Sequence, residues 1–276
     1  VSEGMAQFFD TGGQWRVLND GAVCNVSLDS HHPYFADHQV YGQKIFPGVA
    51  CLELVFIAIL EQFPALRLHA FEEIVWMRPI VCNNLNVDIQ IRLSPEDKNR
   101  IRFQIDHAGE ICCYGFICDG SSRRDSNLLA VPLFLRDRID MHMHDHFSKE
   151  EIYNAFANMG IVYGSYFQCI AYVQRYADMA LSWLYRFDEV VLGWVGLMDC
   201  SFQVGMAISI GESQDALMPY SLGRLTLHKP LLFQRLKKAF VLTVKLSPFR
   251  TSITVFDEEY CPLLSVFDLG VKSSNL

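Results

Sequence analysis

Hydrophobic positions fall along this chain in two distinct rhythms. From 47 to about 63 (PGVACLELVFIAILEQF) nearly every position is apolar, and Pro and Gly open the run as a helix N-terminus allows. A second such run covers about 196–210 (GLMDCSFQVGMAISI). Both are predicted to be helices without a polar face, which belong in the middle of a fold with other elements on every side. Alternation follows each helix. Val87, Ile89, Ile91 and Leu93 in 86–93, then Ile101, Phe103 and Ile105 in 100–107, predict two strands joined by the polar turn SPEDKN, and 111–117 continues the meander. After the second helix, strands are expected over 224–228, 239–246, 252–256 and 263–267, with Phe240, Leu242 and Val244 on alternate positions. Antiparallel strands curled around one buried helix form a self-sufficient unit, and the pattern occurs twice.

Composition changes between the two units. The stretch 120–127 (GSSRRDSN) is polar and turn-rich. A short amphipathic helix then starts at Ser148, where Ser148 and Glu151 make a capping box. Ile152, Phe156 and Met159 line one face of this helix, and Gly160 ends it. The expected organisation is an α+β chain with an N-terminal unit over 1–120, a linker over 121–147 and a C-terminal unit over 148–276.

The 276 residues are 51% apolar and 20% charged, which excludes a disordered chain, and the net charge of −8 argues against a nucleic-acid partner. The longest apolar stretch, 49–60, is interrupted by Glu53 and too short to span a bilayer, and no secretion signal opens the sequence. Nine cysteines, an odd number without C-x-x-C spacing, fit reduced, mostly buried thiols in a cytoplasmic protein. His142, His144 and His146 (HMHDH) are one residue short of an H-x-H-x-D-H metal motif and read as a solvated loop, so no metal is expected. G-x-S-x-G, P-loop and G-x-G-x-x-G motifs do not occur.

Candidate chemistry gathers at the starts of the two helices. His38, Gly42 and Pro47 form H-x-x-x-G-x-x-x-x-P immediately before the first. A histidine serves as a neutral base near pH 7, Gly42 permits a positive φ, and Pro47 fixes the helix entry, leaving the N–H of Gly48 to receive negative charge. Asp199 and Gln203 stand four apart in the early turns of the second helix, on one face, so that Gln203 can hold the Asp199 carboxyl. Burial raises the pKa of such a carboxyl and keeps it protonated as an acid. Cys200, its neighbour, is read as facing elsewhere.

With these blocks the chain resembles the dehydratase domain of modular polyketide synthases, a double hotdog family related to fatty-acid dehydratases. HPYFADHQVYGQKIFPGVACLE matches the family's histidine motif and Met198–Gln203 its aspartate motif. GIVYGSYF at 160–167 is similar to G-Y-x-Y-G-P-x-F, and MPYSLGRLTL at 218–227 to the L-P-F-x-W segment. Val195-Gly196 stands where the family usually has His-Pro. Ile161, Ser165 and Gly223 replace a Tyr, a Pro and a Trp, changes that bear on tunnel shape. The resemblance implies two antiparallel sheets, each wrapped around a central helix. It also implies dehydration of a 3-hydroxyacyl thioester to a 2,3-enoyl thioester, with His38 as base and Asp199 as acid. Gly48, Gln203 and Tyr163 would contact or order the substrate. No cofactor is implied beyond the phosphopantetheine arm of an acyl carrier protein that carries the acyl group. Partners would be that carrier and neighbouring synthase domains, the domain would pair as a homodimer, and no membrane is involved. A double-bond-shifting isomerase, a pyran-forming cyclase and a silent scaffold domain are the alternatives.

Overall fold

Both all-apolar runs form helices at the centre of the molecule. The computed structural model describes residues 14–18, 21–119, 145–185, 193–211, 217–228 and 236–273. In the first unit these form β1 (Gln14–Leu18), β2 (Gly21–Asp29), α1 (Pro33–Ala36), β3 (His38–Val40), β4 (Gln43–Lys44), α2 (Gly48–Gln62), β5 (Leu68–Trp76), β6 (Asn86–Pro95), β7 (Arg100–His107) and β8 (Glu110–Asp119). The second unit comprises β9 (Asp145–Ser148), α3 (Lys149–Asn158), β10 (Ile161–Tyr163), β11 (Ile170–Arg175), β12 (Met179–Tyr185), α4 (Trp194–Ala207), β13 (Leu217–Leu227), β14 (Lys238–Ser247), β15 (Arg250–Phe256) and β16 (Pro262–Ser273). Every residue of α4 is buried, and α2 is buried from Val49 through Phe56.

Each helix lies against its own antiparallel strands, the double hotdog arrangement. Val87, Ile89, Ile91 and Leu93 of β6, and Ile101, Phe103 and Ile105 of β7, are all buried on the core side, as their alternation predicts. The two sheets join edge to edge through β5 and β13 into one sheet of thirteen strands, in the order β1-β2-β6-β7-β8-β5-β13-β16-β15-β14-β12-β11-β9. The Arg224 guanidinium of β13 pairs across this seam with the Glu72 carboxylate of β5.

Several details depart from the sequence reading. Strand β5 escapes a pattern search because a bulge between Glu72 and Val75, with Glu73 at φ 52, breaks its alternation. Phe240 and Leu242 of β14 face away from α4, into a small cluster with Tyr176, Met179, Leu181 and Phe256, while Ala239 and Val241 belong to the main core. A strand covered on both faces carries no polar positions to mark which face is which. The expected linker over 121–147 ends early, because Asp145–Ser148 forms β9, paired with β11. His146 therefore sits in a strand, its ring stacked on Tyr172 at 5.4 Å, rather than in a solvated loop. His142, His144 and the stretch 120–127 lie outside the described residues. The capping box of α3 forms as expected, with the Ser148 N–H donating to Glu151 and the Glu151 N–H donating to Ser148 Oγ. All nine cysteines are free, and six of them are buried. No helix among the described residues is long and apolar enough to cross a membrane.

Glu53 is the exception in the apolar interior of α2. Only 5% of its surface is exposed, and its carboxylate accepts a 2.9 Å hydrogen bond from the Tyr34 hydroxyl of α1. Burial raises its pKa from 4.5 to about 7, with the Tyr34 bond opposing the shift. A folded-state pKa above the unfolded one means that the native state binds the extra proton. Stability from this group is complete below 4.5 and is lost as pH rises through about 7. The full effect is about 3 kcal/mol at the conversion of roughly 1.4 kcal/mol per pH unit. Thermal melts across this window should show the wild type losing stability with rising pH, and Glu53→Gln should flatten that dependence; an unchanged slope in the variant would assign it to other groups.

Candidate active site

The two units are tied by a second, three-stranded sheet, in which β3 lies between β4 and β10 of the other unit. The register sets Tyr163 directly opposite His38 and Ile161 opposite Val40. Asp37, the residue before His38, clamps the turn that follows β10. Its carbonyl accepts from the Gly164 N–H at 2.8 Å, and its carboxylate accepts from the Tyr166 N–H at 2.8 Å and the Ser165 hydroxyl at 3.4 Å. A Cβ on Gly164 would lie 2.2 Å from the Asp37 carboxylate, so only glycine permits the approach. On the other side of His38, Gly42 turns the chain from β3 to β4 at φ 77. Asp37 carried no signal of its own in the sequence beyond its place next to His38.

His38 is 5% exposed. Its Nδ1 lies 2.8 Å from the carbonyl oxygen of Ile45, which only accepts, so Nδ1 carries the proton and Nε2 keeps its lone pair in the neutral ring. The rings of Tyr163 and Phe167 pack edge-on against the imidazole at 5.6 and 5.7 Å. Pro47 is the N-cap of α2 and Gly48 its first residue, whose N–H has no partner within the helix. The Trp76 indole N–H donates to the Gly48 carbonyl at 3.0 Å and packs the end of β5 beside this helix start.

Asp199 comes from the second turn of α4, which begins at Trp194. Its carboxylate accepts from Gln203 Nε2 at 2.8 Å, and the same amide donates to the carbonyl of Phe167 at 3.1 Å. Desolvation raises the pKa of Asp199, opposed by the nearby His38 and by the Gln203 hydrogen bond. Cys200 turns aside and donates to the Phe167 carbonyl. Burial, with Asp199 next in weight, holds the Tyr163 hydroxyl well above the usual phenol range. His38, Gly48, Tyr163 and Asp199 line one narrow cavity of about 40 Å³, closed elsewhere by Phe46, Trp76, Phe202 and Met206 among others. Gln203 stands behind Asp199, and Gly42 and Pro47 shape the approach without lining the space. Among the described residues no cluster of three or more metal-ligating side chains is present.

Comparison with known proteins places this architecture. A family model described as the polyketide synthase dehydratase domain matches residues 14–108. The polyketide synthase ThaG of Burkholderia thailandensis is 28% identical over 214 residues, 74% of this chain, and PksM of Bacillus subtilis is 30% identical over 222 residues, 71% of this chain. The chain belongs to the polyketide synthase dehydratase family. It spans only 4% of ThaG and 5% of PksM. Among solved structures, the dehydratase domain from the CurK module of curacin polyketide synthase has the same fold. Its TM-score is 0.81 at 18% identity, covering 96% of this chain and 98% of that one. Two further CurK dehydratase structures are inactive mutants, one with histidine changed to phenylalanine and one with aspartate changed to asparagine.

The residues that depart from the family pattern stand off the cavity wall. Val195 and Gly196 occupy the first turn of α4, with Gly196 against Tyr166, Ile161 pairs with Val40, and Gly223 sits in β13 beside Asp268. None of these residues, nor Ser165, lines the space around His38 and Asp199. Asp37 ties the residue beside His38 to the turn between Tyr163 and Phe167. Asp37→Ala removes two hydrogen bonds to one turn and should cost about 1–2 kcal/mol, as loss of a capping side chain does. Activity should fall further than stability explains, since Tyr163 and Phe167 flank that turn; urea titration beside a turnover assay at the same temperature separates the two.

Proposed function

We propose that this domain dehydrates a 3-hydroxyacyl thioester, delivered on the phosphopantetheine arm of an acyl carrier protein, to the 2,3-enoyl thioester during polyketide assembly. The observation that carries this reading is a neutral-tautomer imidazole and a desolvated carboxyl from different units lining one cavity at a helix N-terminus. Nε2 of His38 takes the C2 proton. The electron pair moves toward the thioester oxygen, whose developing charge is met by the Gly48 N–H and the positive end of α2. The C2–C3 double bond then forms as the C3 hydroxyl leaves with the Asp199 proton as water. Gln203 holds the Asp199 carboxyl in place, and Tyr163 walls the site opposite His38. Acid, base and helix terminus supply all the groups the elimination requires.

The relatives are far longer than this chain, which fits a domain acting beside neighbouring synthase domains. A carrier tethered in the same assembly reaches an effective concentration on the order of millimolar, so affinity between separate pieces can be low.

Mass spectrometry of a 3-hydroxyacyl carrier protein incubated with the domain should show loss of water. His38→Phe and Asp199→Ala should each lower the rate by about 10²–10⁴-fold, the contribution of one positioned acid or base. Undiminished turnover in either variant would reject the assigned roles. The alkaline limb of the rate profile belongs to Asp199 and should lie above the usual carboxylate range. Gln203 favours the ionised carboxylate, so Gln203→Leu should raise the Asp199 pKa further and move that limb to higher pH; a limb that stays or moves down contradicts this assignment.

A further inference from the structure

Two further spaces border the cavity between His38 and Asp199, and the residues each shares with it distinguish its two sides. A larger space of about 240 Å³ shares Phe46, Gly48, Trp76, Met218 and Pro219 with it and reaches the exposed Arg78 and Lys272. A smaller one of about 10 Å³ shares Phe202, Met206 and Leu217 with it and reaches Phe249, in the turn between β14 and β15, which is 57% exposed. Gly48 thus belongs to the wide side. Phe202 and Met206 follow Asp199 on its own helix face at the i+3 and i+7 positions and belong to the narrow side.

We infer that Met206 is a chain-length gate, past which the acyl tail beyond C3 must run toward an outlet at Phe249. The inference rests on the dehydration reading, in which the thioester carbonyl sits at Gly48 and C3 at Asp199. With C1 on the wide side and C3 on the α4 side, the pantetheine arm fills the wide space and the tail follows α4 toward its C-terminus. The Met206 backbone lies about 10 Å along the axis from Asp199 at 1.5 Å per residue, and its side chain closes the cavity on that side, so a long acyl chain must displace it further than a short one. The space beyond is no larger than about one water molecule, so the outlet stays shut until a side chain moves. Among the three shared residues Met206 is the one with an unbranched, readily rearranged side chain, and it is 8% exposed. The larger, stiffer Phe202 and the branched Leu217 form the rest of the ring.

The test uses pantetheine thioesters of 3-hydroxybutyrate and 3-hydroxydodecanoate with the wild type, Met206→Phe, Met206→Ala and Phe249→Ala. Met206→Phe should lower kcat/KM for the long substrate by about 10–200-fold more than for the short one, the range for methylene-scale steric discrimination. Met206→Ala should shift the preference the other way, and Phe249→Ala, on the surface, should change only the long substrate. An equal loss on both substrates in Met206→Phe, together with an unmoved length preference in Met206→Ala, would overturn the gate while leaving dehydration intact. A wild type inert toward both substrates would overturn the dehydration reading and the gate with it.

Discussion

The short pairing of β3 with β10 is the constraint from which the rest of the site follows. Three residue pairs cross between the units there, and the register puts Tyr163 across from His38. A slip of one residue would turn His38 to the opposite face of the ribbon and out of the cavity. The pairing cannot hold its register alone, because a ribbon this short closes few hydrogen bonds. Asp37 at one end, binding the backbone N–H groups of Gly164 and Tyr166, and the Tyr41 N–H donating to Gly160 at the other fix it from both sides. These hydrogen bonds next to the site add to the β5–β13 seam and the shared core in bringing an imidazole and a carboxyl together from distant parts of the chain.

Phe167 joins this frame to the acid. Its ring lies against His38, and its carbonyl takes hydrogen bonds from Gln203 and Cys200 on α4. One residue at the end of the clamped turn therefore sets the distance between the helix that carries Asp199 and the strand that carries His38. Packing in the interior is close, so such a contact transmits small displacements rather than absorbing them.

The two central helices, the capping box and the β6–β7 hairpin were legible in the sequence because each rests on local signals: an unbroken apolar run, a cap three residues ahead of Glu151, strict alternation. The pair His38 and Asp199 was legible as residue types in a pattern, and family resemblance joined them; nothing local says that they share a cavity. What stayed hidden depends on partners far along the chain. Asp37 matters through Gly164 and Tyr166, more than a hundred residues away. Strand β5, with its bulge, is defined by the neighbours β8 and β13 rather than by its own pattern. Trp76 gains its place by reaching Gly48 across the start of α2. One long-range feature that did leave a mark was Glu53, a carboxyl in the middle of an otherwise apolar run.

Glu53 and Asp199 make an instructive pair. Each is a carboxyl on a central helix, each is almost completely buried, and desolvation raises the pKa of both. Burial and protonation alone therefore do not single out an acid catalyst. The difference lies in what each carboxyl faces. The Tyr34 hydroxyl donates to Glu53, the Tyr34 ring packs against Phe46 and Phe167, and Glu53 does not line the cavity. Asp199 is held from behind by Gln203, an uncharged donor on its own helix, and its other side opens on the space that His38 lines. An uncharged donor leaves the carboxyl pKa raised, whereas a cation there would stabilise the carboxylate far more. Glu53 is placed to hold α1 against α2 through Tyr34, whereas Asp199 faces the cavity that His38 lines.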